Sequence, residues 1–245
     1  MRPRVQVTDL GAAVAYQPVW DLQMRLHKAI VDWKIVRRRA GLDEIAPEAA
    51  DRPLNHLLFV EHNHVVTLGK SGKESHLVAS PERLAELGVE YVPINRGGDI
   101  TYHGPGQIVA YPIFDLELFK PDIGWYMRML EEAIIRTCAD YGLAAGRIEG
   151  LTGVWLGEGA EARKIAALGV KTSRWVAMHG LAFNINTDLA FFELIVPCGI
   201  AGRGVTSLAQ ELRREVDKAE AQTRLHHHLL TLFPWQAVTG SEAVL

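Results

Sequence analysis

The chain has 245 residues, 48% of them hydrophobic and 22% charged, with a formal net charge of −3. That composition is that of a soluble globular protein able to bury a sizeable core. It carries no general electrostatic footprint for nucleic acid, so no such partner is expected. No stretch approaches the roughly 20 apolar residues needed to cross a bilayer, and Met1-Arg2-Pro3-Arg4 opens no apolar signal core, so no membrane partner is expected. Cys138 and Cys198 are too few for a disulfide framework, which points to a cytoplasmic protein with both thiols reduced.

In chain order, "VQVTDLG" reads as a first strand. From Pro18 to Arg39, the residues Trp20, Met24, His27, Ile30, Val31 and Ile35 fall on one helical stripe. The run Arg37-Arg38-Arg39 closes that helix as a solvated last turn, compatible with the helix dipole. The small, acidic segment 40–52 reads as a loop. "NHLLFVEH" and "NHVVTLGK" are strand-like runs meeting at His62-Asn63-His64, as a hairpin or as a strand with a sharp bend. Ser80-Pro81 is a cap with proline at the first helical position, opening the short helix "ERLAELG".

"VEYVPIN" is a strand delivering the loop "RGGDITYHGPGQ" at 96–107, and "QIVAYPIFDL" is a strand leaving it. Residues 122–141 form the longest helix, closed by Gly142. "RIEGLTGVWLG", "RKIAALGVKTS" and "RWVAMHGLAFNIN" read as three successive strands. "DLAFFELIVPCGIAGRG" is a helical turn that breaks at Pro197 into a second glycine-rich loop, and "SLAQEL" and "KAEAQTRLHHHLLTLF" are helical. Strands cluster in consecutive runs with helices between the runs, so the class is α+β, with residues 1–245 as a single domain.

Glycine-exposed N–H groups make anion cradles, so the 96–107 loop invites a phosphate. Two nucleotide patterns fail there. "GKS" occurs at 69–71, but the first glycine of a Walker loop would fall on His64. Gly104-Pro105-Gly106 precedes a strand, where a dinucleotide fingerprint needs a helix.

Cys198 lies between Pro197 and Gly199, a sharp turn from which a thiol can project into a cleft; a structural role is the equal alternative. Cys138 sits among Ile134, Ile135 and Tyr141 as a small buried hydrophobe. A nucleophilic thiol needs help, because its ordinary pKa of about 8.5 leaves little thiolate at neutral pH. His103, His179 and Lys164 are the candidate helpers, although lone histidines are more often satisfied hydrogen-bonding groups. Lys164 is flanked by Ile165, Ala166, Ala167 and Leu168, where alternation sends it towards an apolar interior. Pattern alone favours the other reading, an edge-strand lysine reaching solvent. His226-His227-His228 point in three directions on a helix and read as a solvated face, and His62 with His64 are too few ligands, so no metal site is expected.

Four stretches, "RGGDITYHGPGQIVAY", "GVWLG…RKIAALGVK", "HGLAFNIN" and "PCGIAGRGVTSL", resemble the successive motifs of the lipoyl (octanoyl) transferases, in that family's order between Asn55 and Leu212. The N-terminal helix and the 40–52 loop carry no such motif. The resemblance implies a central mixed β-sheet flanked by helices, as in biotin and lipoate protein ligases. It implies transfer of an octanoyl group from octanoyl-acyl carrier protein to a lysine of apo lipoyl domains, those of 2-oxoacid dehydrogenase complexes and of the glycine cleavage H protein. That is the first step of endogenous protein lipoylation, and it calls for no cofactor. Cys198 is then the acyl-thioester nucleophile, and Lys164 lowers its pKa and shuttles protons. Substrate binding falls to Arg96, Gly97, Gly98, Asp99, Ile100, Thr101, Tyr102 and His103, to Ala167, Leu168 and Gly169, and to Gly180, Leu181 and Ala182. The loop would hold an acyl chain and its thioester head rather than a phosphate. The alternatives are an ATP-dependent lipoate or biotin ligase of the same fold, a cysteine hydrolase, or a non-catalytic scaffold for carrier or lipoyl domains.

Overall fold

A computed structural model describes residues 2–43, 46, 49–196 and 204–238. β1 (Arg4–Asp9) leads into α1 (Tyr16–Arg39), then β2 (Asn55–Val60), β3 (Val65–Leu68), α2 (Pro81–Glu86) and β4 (Glu90–Pro93). β5 (Ile100–His103) and β6 (Gln107–Ile113) flank a glycine turn, and α3 (Ile123–Asp140) follows. Four strands come next, β7 (Ala145–Ile148), β8 (Leu151–Leu156), β9 (Arg163–Ser173) and β10 (Val176–Asn184). β11 (Gly204–Val205), α4 (Leu208–Leu212), α5 (Lys218–Leu232) and β12 (Gln236–Val238) complete the described elements.

The main sheet has the order β12-β1-β2-β6-β10-β9-β8-β7, with β11 set against β9. β1 runs parallel to β2 and β12, and β2, β6, β10, β9, β8 and β7 pair antiparallel. A smaller sheet has the order β4-β3-β5. The α+β class with a mixed central sheet and flanking helices is therefore observed.

All seven residues of β6 are buried, and period-two geometry explains why. Ile108 and Ala110 face one core with Tyr126, Leu130 and Leu225 of α3 and α5. Val109, Tyr111 and Ile113 face the other, with Val19, Leu22 and Ile30 of α1. A strand covered on both faces reads as a continuous apolar run rather than as an alternation.

Several expectations are corrected. α1 has 24 residues and α3 has 18, so 122–141 is not the longest helix. α1 buries Val19, Leu22, Gln23, His27, Ile30 and Lys34, while Met24 is 36% exposed. The stripe is rotated because two polar residues outside the expected one, Gln23 and Lys34, are buried. The Gln23 side-chain oxygen accepts the His179 N–H at 3.0 Å. The Lys34 ammonium donates to Asp115 Oδ1 at 2.8 Å, to the Arg174 carbonyl at 3.0 Å and to Glu117, and Arg52 binds the second Asp115 oxygen. This buried ion cluster ties α1 and the end of the 40–52 loop to the sheet.

β2 and β3 do not form a hairpin. The chain bends at His62-Asn63-His64 and passes from the large sheet to the small one. Ile100–His103, expected within a loop, is a strand paired with β3. "RIEGLTGVWLG" holds two strands, β7 and β8, turned at Gly150, whose φ is +76°. Ser80 caps α2 as expected, accepting the Arg83 N–H. His226 packs edge-on against Phe59 and stacks on Trp235, and His228 bonds Asp140 at 2.7 Å, so of the three histidines only His227 is exposed. Among the described residues no helix is long and apolar enough to cross a membrane.

Candidate active site

Two adjoining spaces open where the turn between β4 and β5 meets β9 and β10. The first is tight, with a cavity volume of about 20 Å³, and is walled by Tyr16, His103, Tyr111, His179, Gly180 and Leu181, among others. The second runs past Gly97, Gly98, Asp99 and Ile100 to Met127, Leu151 and Lys164. Arg96, Thr101, Ala167, Leu168 and Gly169 line both. Every expected substrate-binding residue except Tyr102 therefore faces this cleft, Ala182 included.

Tyr102 is fully buried behind it. Its hydroxyl lies 2.7 Å from His64 Nδ1, and its ring stacks on Phe191 with centroids 5.3 Å apart. It is part of the small sheet's core, placing the loop from behind. Pro197, Cys198 and Gly199 lie outside the described residues.

Backbone bonds hold the loop. Lys70 N–H donates to the Arg96 carbonyl at 2.8 Å and Ser71 N–H to that of Gly98 at 3.1 Å. The "GKS" stretch that fails as a nucleotide motif is thus the clamp of the loop. Arg96 folds its guanidinium back onto the Gly97 and Asp99 carbonyls at 2.8 and 2.7 Å. Gly169 and Gly180 stand opposite one another on β9 and β10. A Cβ on Gly169 would lie 2.5 Å from Arg96 Nη1, and one on Gly180 would lie 2.2 Å from the Ala110 carbonyl. Only glycine lets Arg96 and β6 approach so closely.

The imidazoles here are neutral. Burial first, then the positive neighbours, holds His103 and His179 down to about 3, and burial holds His62 at about 4. Such weak bases are poorly matched to a thiol's proton at neutral pH, which leaves Lys164 among the sequence candidates. Tyr16, pushed up to about 12 mainly by burial, stays a phenol. Cys138 is fully buried on the core-facing side of α3, and its thiol is pushed up to about 12 by burial, as befits a structural residue.

Lys164 is 7% exposed and lies within the sheet, between β8 and β11, so the edge-lysine reading is overturned. The ladder between β8 and β9 shifts register there. Trp155 opposes Lys164 and Val154 opposes Ala166, which leaves Ile165 as the extra residue of a bulge. Strict alternation would put Lys164 and Ala167 on opposite faces; with the bulge both line the same cleft. The Lys164 ammonium sits 4.7 Å from the centre of the Trp155 ring. Gly153, at φ +126°, leaves room for the lysine, since a Cβ there would lie 3.1 Å from Lys164 Cε. Val205 pairs with Lys164 across β11, and the Thr206 N–H donates to the Lys164 carbonyl at 2.9 Å.

Sequence reasoning missed two walls of the first space, Tyr16 and Tyr111, and in the second Met127 and Leu151 among others. Tyr111 closes the motif "RGGDITYHGPGQIVAY" and could have been taken from it. Tyr16 lies on the N-terminal helix, where no motif pointed.

The architecture is that of the protein ligases that attach lipoyl and biotin groups. The chain is similar in fold to a bipartite lipoate protein ligase of Thermoplasma acidophilum, with a TM-score of 0.66 and 17% identity over 98% of this chain and 88% of that one. It is similar more distantly to a biotin protein ligase of Aquifex aeolicus, with a TM-score of 0.51 and 11% identity over 93% and 70%. In sequence it is 52% identical to the octanoyltransferase of Flavobacterium johnsoniae, over 97% of this chain and all of that one. Residues 37–230 match the family model of the lipoyl protein ligase A/B catalytic domain, and the chain belongs to that family.

Proposed function

We infer that the chain is an octanoyltransferase, acting in the cytoplasm as a single catalytic domain, with octanoyl-acyl carrier protein as donor and apo lipoyl domains as acceptors. The observation that carries this beyond the likeness to the Flavobacterium johnsoniae enzyme is Lys164. A bulge turns it into the cleft, in register with the strand that follows the Cys198 segment.

In this reading Lys164 accepts the Cys198 proton, and the thiolate attacks the octanoyl thioester carbonyl. The tetrahedral oxyanion collapses, the bond to the carrier sulfur breaks, and the carrier thiol leaves with the proton from Lys164. The acceptor lysine, as a neutral amine, attacks the Cys198 thioester and passes its proton to neutral Lys164, and the Cys198 thiolate leaves. The acyl chain lies along Ala167, Leu168 and Leu181, where burial contributes about 0.8 kcal/mol per methylene, some 5 kcal/mol in all. One methylene more or less is discriminated by only about 1–3 kcal/mol.

The shared fold keeps an ATP-dependent ligase as the second reading. Intact-mass analysis after incubation of desalted protein with octanoyl-acyl carrier protein, without ATP or magnesium, separates the two. An octanoyl adduct should form on the native protein and on Cys138→Ala but not on Cys198→Ser, and should pass to an apo lipoyl domain. Strict dependence on ATP moves the protein to the ligases, and equal loss of adduct in both cysteine variants removes Cys198 as nucleophile.

A further inference from the structure

Behind His103 runs a row of buried amides that the transfer chemistry leaves unused. Gln107 on β6 and Asn184 on β10 stand directly opposite in the antiparallel ladder, 1% and 3% exposed. Their orientations follow from one fixed point. The Thr206 carbonyl can only accept, so the Asn184 atom 3.0 Å from it is Nδ2. Asn184 Oδ1 then accepts from Gln107 Nε2 at 2.9 Å, and that nitrogen also faces the Tyr102 carbonyl at 3.3 Å. Gln107 Oε1 is left to accept, and His103 Nδ1 lies 2.8 Å away, so Nδ1 carries the ring's proton. The opposite edge of the ring, Nε2, keeps a lone pair on a residue that lines the cleft. At the far end, Thr206 is the residue whose N–H binds the Lys164 carbonyl at 2.9 Å.

We propose that Gln107 and Asn184 are positioning residues: a buried amide relay that locks His103 as the Nδ1-protonated neutral imidazole and anchors Thr206 beside Lys164. This rests on the octanoyl-transfer reading. An apolar acyl chain then meets an uncharged ring edge with no donor to satisfy, while the strand beside Lys164 is tied to the same ladder. Each amide must give one donor on one side and one acceptor on the other. A carboxylate cannot do so, but a protonated carboxylic acid can.

That requirement sets the test. Gln107→Glu and Asn184→Asp should each lose about 10²-fold in transfer relative to native protein near pH 8, the scale of a group displaced by about 1 Å. Relative to native protein at each pH, both should recover towards pH 6, because burial raises the new acid's pKa and its hydroxyl restores the missing donor. The apolar variants Gln107→Met and Asn184→Leu should lose activity without any such recovery. The groups that face this row are Tyr16 from α1, His62 after β2, Arg96 from the loop and His179 from β10. At the Thr206 end stands Glu211 of α4, which accepts the Thr206 hydroxyl at 2.6 Å and pairs with Arg163 of β9. All are common to native and variant proteins, so the ratio isolates the new acid.

Imidazole nitrogen NMR of native protein without substrate should show His103 protonated on Nδ1 and neutral from about pH 8 to pH 5, consistent with its depression to about 3. A flat activity ratio across pH in the two acid variants, or a His103 protonated on Nε2, overturns the relay. The spectrum does not depend on turnover. Native protein that takes no octanoyl group would overturn the transferase reading while the spectrum still decides the relay.

Discussion

Three glycines near the Lys164 bulge separate backbone strain from crowding. Gly146 on β7 has a φ outside the left-handed region and open space where a Cβ would go; Gly150 has φ +76° and equally open space; Gly153 has φ +126° and a Cβ position 2.9 Å from the Ala166 carbonyl. Alanine at 146 should stabilise by roughly 0.5–1 kcal/mol, the usual gain over glycine inside a strand. Alanine at 150 bears only the left-handed penalty of about 1–2 kcal/mol. Alanine at 153 bears about 1–3 kcal/mol of backbone strain and about 1–3 kcal/mol of overpacking. The sum is about 2–6 kcal/mol, a fall in Tm of about 4–24 °C at about 2–4 °C per kcal/mol for a chain of this size. The Gly153→Ala methyl also meets Lys164 Cε at 3.1 Å and Cδ at 3.4 Å. Pushing the ammonium aside by about 1 Å should slow octanoyl transfer by about 10²-fold, whereas Gly150→Ala should leave the rate near native. Urea denaturation with single-turnover kinetics on folded protein reads both effects. If Gly153→Ala is as stable as Gly150→Ala, or loses stability with its rate intact, the bulge geometry does not hold Lys164 as argued.

Lys164→Ala should reduce transfer by about 10²–10⁴-fold, and Lys164→Arg should not rescue it, because a guanidinium cannot accept the amine's proton. Near-native turnover of the arginine variant, measured by mass analysis of the lipoyl domain, leaves Lys164 only an electrostatic role. Lys34→Met, which leaves Asp115 buried with one cation fewer, should destabilise by about 3–5 kcal/mol in urea denaturation; a loss under about 1 kcal/mol would show the cluster to be dispensable. His56 and His62 are held at about 4 and His103 and His179 at about 3, against an ordinary 6.5. Over that window the unfolded chain binds more protons, so their contribution is whole above pH 6.5 and is lost as pH falls towards 3. The urea midpoint should therefore drop between about pH 7 and pH 5, and His56→Leu, away from the cleft, should flatten that slope; an unchanged slope counts against a neutral buried His56.

The parts legible in the sequence were those with one dominant local signal. The Ser80 cap, the long runs of β6 and β10 and the helix closed by Gly142 follow from capping, periodicity and left-handed glycine alone. The glycine loop and the cleft lining of β9 and β10 came from motif resemblance, since nothing in their spacing distinguishes an acyl cleft from an anion cradle. Tertiary partners decided the rest. The α1 face turned because Lys34 and Gln23 find buried acceptors and donors more than 80 residues away. Ile100–His103 became a strand because four residues of β3 pair with it, a contact no local pattern announces. Lys164 could not be placed by counting alternate positions, because the count itself slips at Ile165.

That slip makes the pairing register of β9 a functional quantity. Excising the single codon for Ile165 would remove the bulge and leave Lys164 two residues before Ala167 in a plain strand, so both would still face the cleft. The pairing with β10 from Ala166 to Ser173 could persist unaltered. Straightening the ladder at its present length, or adding one residue beside the bulge, would instead turn the ammonium to the opposite face. Homologous chains that keep a lysine here should therefore keep either the present spacing to the glycine opposite Gly180 together with the bulge, or one residue fewer without it.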